Sequence, residues 1–62
     1  MFHREIKIAA GVSLIVTAEP GGVVHLGIQS GPFLRSYTVA IGALAVIAEA
    51  LQGARVEAER PA

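Results

Sequence analysis

The chain lacks cysteine, tryptophan, asparagine and aspartate. Without cysteine it forms no disulfide and offers no thiolate as nucleophile or metal ligand. Its two histidines, His3 and His25, are too few to build a structural zinc site within one chain. Five basic and five acidic residues cancel, so no net charge attracts nucleic acid or an anionic membrane over long range. We therefore expect no metal and no cofactor.

The chain is also short, with 62 residues, and 53% of them are hydrophobic. A domain of this size buries only about 60% of the surface that its unfolded chain exposes. Such domains are usually reinforced by disulfides, by a metal ion or by oligomerisation. Since the composition removes the first two, we expect a homo-oligomer.

Long apolar runs that would span a membrane are missing as well. The uncharged segment Ser36–Ala48 has thirteen residues, whereas a spanning helix needs about 20. Gly11 and Ser13 interrupt the apolar run near the start of the chain, which disfavours a secretion signal. We expect no membrane association and a cytoplasmic location. The excess of alanine, glycine and valine is typical of a GC-rich genome and indicates a bacterial or phage origin.

Three segments alternate apolar and polar residues, which is the pattern of half-buried β-strands. They run from Phe2 to Ala10, from Val12 to Ala18 and from Val23 to Gln29. Gly11 and the sequence Pro20-Gly21-Gly22 supply turns, because glycine adopts the positive φ that tight turns require. The sequence thus predicts an antiparallel meander. Its inward residues are expected to be Phe2, Ile6, Ile8, Val12, Leu14, Val16, Ala18, Val24, Leu26 and Ile28.

Phe33 to Ile41 is predicted to be a fourth strand whose face is ambiguous. If Val39 and Ile41 point inward, alternation also turns Arg35 inward, and an unpaired buried charge is costly. If the opposite set points inward, the core receives mostly polar side chains. A β-bulge near Ser36 would switch the register partway. We favour Val39 and Ile41 inward, with Arg35 reaching the sheet edge.

Beyond Gly42 the period becomes helical, with apolar residues at i, i+3, i+4 and i+7: Leu44, Ile47, Ala48 and Leu51. Gly53 is expected as the C′ residue that ends this helix, and residues 54–62 as a frayed, charged tail. The predicted fold is α+β, in the order β-β-β-β-α. A four-stranded meander is followed by one C-terminal helix laid across a sheet face, in a domain formed by residues 1–53.

Two groups of apolar residues fall outside the predicted core and suggest a dimer or higher oligomer. One is a strip of small side chains on the helix, and the other lies on the outer sheet face. The predicted interface residues are Ala43, Val46, Ala50, Ile15 and Val23.

Catalytic motifs are not found. The serines have no triad context, the carboxylates form no spaced pair in an apolar setting, and the glycines make no phosphate-binding array. We therefore expect no catalytic residues and no enzyme. The leading hypothesis is a small non-enzymatic homo-oligomer that binds another protein, as a regulator or accessory factor.

Two alternatives remain open. An antiparallel sheet that carries basic and aromatic side chains can bind single-stranded nucleic acid by stacking and backbone contacts. In its four strands and C-terminal helix the predicted layout resembles small single-stranded-DNA-binding coactivator proteins, and the expected contact residues are Lys7, His25, Arg35 and Tyr37. The other alternative is a small nucleotide or metabolite bound between subunits.

Overall fold

A computed structural model describes all 62 residues and confirms the predicted α+β fold. Four antiparallel strands pair in chain order, and a single helix follows them. The elements are β1 (Phe2–Ala9), β2 (Val12–Glu19), β3 (Val23–Ser30), β4 (Phe33–Val39) and α1 (Ile41–Ala58). In the turn between β2 and β3, Gly21 and Gly22 have φ of 96° and 89°. Both values lie in the region that residues with a Cβ rarely adopt, so this turn depends on glycine.

The strand register divides the sheet into two faces of different character. Residues directly opposite each other in a ladder share a face. One of them, called here the apolar face, carries Phe2, Arg4, Ile6, Ala9, Val12, Leu14, Val16, Ala18, Val24, Leu26, Ile28, Ser30, Phe33, Arg35, Tyr37 and Val39. The other, called here the polar face, carries His3, Glu5, Lys7, Ser13, Ile15, Thr17, Glu19, Val23, His25, Gly27, Gln29, Leu34, Ser36 and Thr38.

The face of the fourth strand is settled by its pairing with β3. Val39 lies opposite Val24, and Arg35 opposite Ile28, in an uninterrupted register. Val39 therefore shares the apolar face with Arg35, as we favoured. No bulge occurs near Ser36. The one register shift of the sheet is in β1, between Lys7 and Ala9.

The strand ends two residues earlier than predicted. Ile41, expected in β4, is the first residue of α1, and Ala40 alone connects the two elements with extended backbone angles (φ −65°, ψ 138°). The helix therefore starts before Gly42 rather than after it. The alanines that follow favour helix strongly enough to include a glycine in its first turn.

The helix also runs further than predicted. It passes through Gly53 and ends at Ala58, so Gly53 is not a C′ residue and residues 54–58 are not a frayed tail. Gly53 does not adopt a positive φ, which a left-handed C′ residue would require. Past Gly53 the chain continues with good helix formers, and ion pairs Arg55–Glu59 at 3.5 Å and Arg60–Glu57 at 3.3 Å support the last turn.

The helix does not cover the sheet, contrary to the prediction that it lies across a face. None of its residues is buried, and the half-buried ones, Ala43, Leu44 and Ile47, all lie in its first two turns. Gly27 is the single buried residue of the chain, and no hydrophobic side chain is buried. The predicted inward residues of the sheet are thus placed together, apart from Ile8 at the register shift of β1, but they are left without a covering layer.

The accessible surface and the radius of gyration also show that the sheet has no covering layer. The accessible surface is 5034 Å², whereas a compact monomer of 6.4 kDa exposes about 3,800 Å². The radius of gyration is 13.6 Å, against about 10.6 Å for a compact chain of this length. One copy therefore exposes about 1,200 Å² more than a compact fold of its mass.

The continuous helix predicts that Gly53→Ala stabilises the protein by about 0.5–1 kcal/mol, because alanine favours a helix interior over glycine. A Cβ at Gly53 meets no other atom within 4 Å. Urea unfolding measures the change. Gly31→Ala is the control: it also has open space, but its φ is +58°, so we expect a loss of about 1–2 kcal/mol. If Gly53→Ala were destabilising as well, the helix would end at Gly53.

Candidate functional site

The apolar face is the most distinctive surface of the molecule. Its two central strands, β2 and β3, present aliphatic side chains: Leu14, Val16, Ala18, Val24, Leu26 and Ile28. The two edge strands carry its aromatic and charged residues. Phe2 and Arg4 lie on β1, and Phe33, Arg35 and Tyr37 lie on β4. This face therefore holds all three aromatic residues of the chain.

The aliphatic side chains of β2 and β3 other than Ile28 are half-buried by their neighbours in the sheet, and none is fully covered. The β4 side of the face is the most open to solvent. Phe33 is 74% exposed and Tyr37 is 60% exposed, and Ile28, on a central strand, is still 41% exposed. Contiguous apolar surface of this kind is uncommon on a soluble monomer and typically marks an interaction site.

The charges of the apolar face are all positive. Arg4 lies over the ring of Phe2, with its guanidinium carbon 5.8 Å from the ring centroid, within the range of a cation–π contact. Arg35 makes no ion pair, since both ion pairs of the structure are at the end of α1. None of the five carboxylates lies on this face. Glu5 is on the polar face, Glu19 continues that side of β2, and the other three are on or just after α1.

A shallow groove crosses the apolar face at its β4 side. It has a volume of about 300 Å³ and is lined by Ile28, Ser30, Phe33, Arg35 and Tyr37. A second open depression of about 460 Å³ follows β4 itself, along residues 33–37. Both are lined by Phe33, Arg35 and Tyr37, and aromatic rings combined with an arginine suit planar or anionic groups.

The polar face is organised by a row of histidines and threonines that crosses all four strands. His3, Thr17, His25 and Thr38 are successive neighbours in the register. Thr17 Oγ1 lies 3.3 Å from His3 Nδ1, and Thr38 Oγ1 lies 3.2 Å from His25 Nδ1. Each threonine hydroxyl is thus hydrogen-bonded to one ring nitrogen of one histidine. Because β2 separates the two histidines, they stand about two strand spacings of 4.8 Å apart, too far to share a metal ion.

A small apolar cluster interrupts the polar face. Gly27 lies opposite Ile15 on one side and Ser36 on the other. A Cβ at Gly27 would stand 3.6 Å from Leu34 Cδ1 and 3.7 Å from Ile15 Cβ. Leu34 therefore leans over Gly27 toward Ile15, and Ile15 is half-buried within its own chain.

The four residues predicted to contact a ligand or nucleic acid do not form one patch. Arg35 and Tyr37 lie on the apolar face, and Lys7 and His25 lie on the polar face. Phe2, Arg4 and Phe33 join the first pair and were not predicted as contact residues. The sequence could have identified Phe33, because side chains alternate along a strand. Once Val39 is placed inward, every second residue of β4, including Phe33, lies on the same face.

The predicted interface residues are also separated. Ile15 and Val23 lie on the polar face, and Ala43 is half-buried beside Leu44 in the first turns of the helix. Ala43 is therefore not part of a free strip. Val46, 66% exposed, and Ala50 remain open on the helix.

The structure contains no group of three or more histidine, cysteine, aspartate or glutamate residues that could hold a metal ion. Its one helix does not combine the length and the apolar character that a membrane-spanning helix needs. No protein-family model, curated protein or solved structure matches the chain.

The cluster on the polar face predicts different outcomes for two substitutions at Gly27. Gly27→Ala meets ordinary contacts of 3.5–3.7 Å, so we expect equal stability or a gain of up to about 1 kcal/mol. Gly27→Val extends into Leu34 and Ile15 and should cost about 1–3 kcal/mol. Urea unfolding of both variants makes the comparison. Equal stability of the two would show that Leu34 moves aside freely and that no packed cluster exists.

Proposed function

We propose that the protein is a non-enzymatic interaction module that works as a homo-oligomer. The observation that carries this proposal is the open apolar face, together with an accessible surface of 5034 Å², about 1,200 Å² above that of a compact monomer. Two copies that each covered this excess would bury about 2,400 Å², which is within the range of obligate homodimers.

The distribution of side chains on the apolar face supports self-association. Aliphatic residues form its centre, and Arg4 and Arg35 stand on the edge strands. Protein interfaces have this anatomy, with a dry apolar centre and arginine and aromatic residues enriched. A long arginine side chain at the rim keeps its guanidinium in water while its methylene groups cover apolar surface.

In such an assembly the polar face stays outside, and it is then the surface offered to another protein. The row of His3, Thr17, His25 and Thr38 supplies hydrogen-bonding groups there. A cytoplasmic location and a bacterial or phage origin stay predictions of the sequence.

Light scattering coupled to size-exclusion chromatography tests self-association. We expect at least twice the chain mass of 6.4 kDa. Ile28→Lys places a charge at the centre of the apolar face and should cost about 2–4 kcal/mol of association free energy, raising the Kd about 30- to 1,000-fold. Gln29→Lys is the matched control, because Gln29 is the next residue of β3 and lies on the polar face. A monomeric wild-type protein at micromolar concentration would refute the proposal.

Single-stranded nucleic acid is a second candidate, favoured by one observation. The apolar face combines all three aromatic residues with two arginines and no carboxylate. Bases stack on exposed aromatic rings, and arginines neutralise phosphates. On this account the contact set becomes Phe2, Arg4, Phe33, Arg35 and Tyr37, without Lys7 and His25.

Fluorescence titration with a single-stranded oligonucleotide tests this candidate. Tyr37 is the only tyrosine and the chain has no tryptophan, so its emission reports the apolar face alone. Binding should quench Tyr37 and weaken with salt, and Arg35→Ala should reduce the salt slope by about one. Lys7→Ala, on the opposite face, is the control and should leave quenching by the oligonucleotide unchanged. Absence of quenching at low salt would exclude the candidate.

A further inference from the structure

The chain exposes two apolar surfaces, and it fully covers neither. One is the apolar face of the sheet. The other is the helical stripe of Leu44, Ile47, Ala48 and Leu51, which contacts the chain only in its first half. Leu44 and Ile47 are half-buried, whereas Leu51, one turn further on, is 65% exposed. Packing of a helix against a sheet is the usual way in which both kinds of surface are buried.

The connection between β4 and α1 explains why the two surfaces do not meet within one chain. Ala40 is the only residue between them, whereas a strand and a helix that pack on each other are usually joined by about 2–6 residues. The start of α1 lies against the turn between β2 and β3. The Ile41 side chain contacts Gly22 so closely that a Cβ built at Gly22 would stand 2.9 Å from Ile41 Cδ1. From this end of the sheet the helix continues past Ile47 with every residue exposed.

The dimensions of the two elements match. A helix of 18 residues is about 27 Å long, and a strand of eight residues has about the same length. A helix is about 10 Å wide, so it covers two neighbouring strands spaced about 4.8 Å apart. The central strands β2 and β3, whose side chains on the apolar face are aliphatic apart from Ser30 at the end of β3, are a pair of this width.

The charges favour a helix over a second sheet as the occupant. Two sheets packed face to face would bring Arg4 and Arg35 of both copies to the rim of one interface that contains no carboxylate. Like charges brought together disfavour that arrangement, and it would also leave Leu51 exposed. A helix along β2 and β3 covers the aliphatic centre and leaves the arginines of the edge strands in water.

We propose that two copies form a dimer in which α1 of each copy packs along β2 and β3 of the other. The inference rests on the proposed homo-oligomer and specifies its interface. A two-fold arrangement of this kind is self-complementary and closed. It covers both open surfaces of each copy in one contact, and the excess of about 1,200 Å² per copy is the area it has to bury.

Cross-linking of single-cysteine variants tests the proposal, because the natural chain has no thiol. Ile28→Cys labels the apolar face, Leu51→Cys labels the helix, and Gln29→Cys labels the polar face as the matched control. Pairs of variants are unfolded and refolded together and then treated with a short bismaleimide. One member carries ¹⁵N, so that mass spectrometry identifies the mixed product.

The mixture of Ile28→Cys and Leu51→Cys should give a mixed covalent dimer with a yield about ten-fold above that of either variant alone, because an interface holds the two thiols at high effective concentration. The mixture of Gln29→Cys and Leu51→Cys should not. If Ile28→Cys does not assemble, Leu14→Cys, its neighbour across the ladder, replaces it.

Four results would overturn the inference. Efficient cross-linking of Ile28→Cys with itself would indicate sheets packed face to face. Cross-linking within one chain of the Ile28→Cys/Leu51→Cys double variant would show that the helix covers its own sheet. The protein could also be an oligomer by light scattering while the mixture of Ile28→Cys and Leu51→Cys cross-links no better than the control mixture. That result would refute the reciprocal packing of the helices but not the proposed homo-oligomer. A monomer by light scattering would refute both.

Discussion

The uncovered apolar face of the sheet is the constraint on which the rest of the structure depends. Four strands align aliphatic and aromatic side chains on one side, and the chain has only one helix with which to cover them. That helix is joined to β4 by Ala40 alone and leaves the sheet after its first two turns. Because apolar burial is the main favourable term in folding, a single copy lacks much of the stabilisation that its own composition could supply.

The two faces of the sheet have separate chemistry because the strand register is continuous. In β2 and β3, every residue pair from Val12 with Ser30 to Glu19 with Val23 keeps the same alternation. Most apolar and polar side chains are therefore sorted to opposite faces at the centre of the sheet, with Ile15 and Val23 on the polar face and Ser30 on the apolar face as the exceptions. A shift by one residue would exchange the faces, and it would place the His25–Thr38 hydrogen bond among the aliphatic residues. The proposed division between self-association and partner binding follows from this sorting.

Much of the fold could be predicted from the sequence. The alternation of apolar and polar residues located the strands, and Gly21 marked the turn at which the chain reverses direction between β2 and β3. The helix boundaries were predicted less well because local signals compete there: Gly53 resembles a C′ residue, but the helix-forming residues around it carry the helix to Ala58. The candidate site was predicted only in part. Arg35 and Tyr37 lie on the apolar face, but Lys7 and His25 were grouped with them without regard to strand parity.

By itself the sequence determined the period of each segment, and hence the four strands, the helix and the inward side of the first three strands, whereas the face of β4 was settled by its pairing with β3. These properties depend on neighbouring residues, whose spacing along the chain is visible. Only the tertiary structure decided that the helix departs from the sheet, because the direction of α1 depends on the backbone angles at Ala40 and on the contact of Ile41 beside Gly22. A hydrophobic pattern predicts that a surface must be covered, but it does not predict which element of which copy covers that surface.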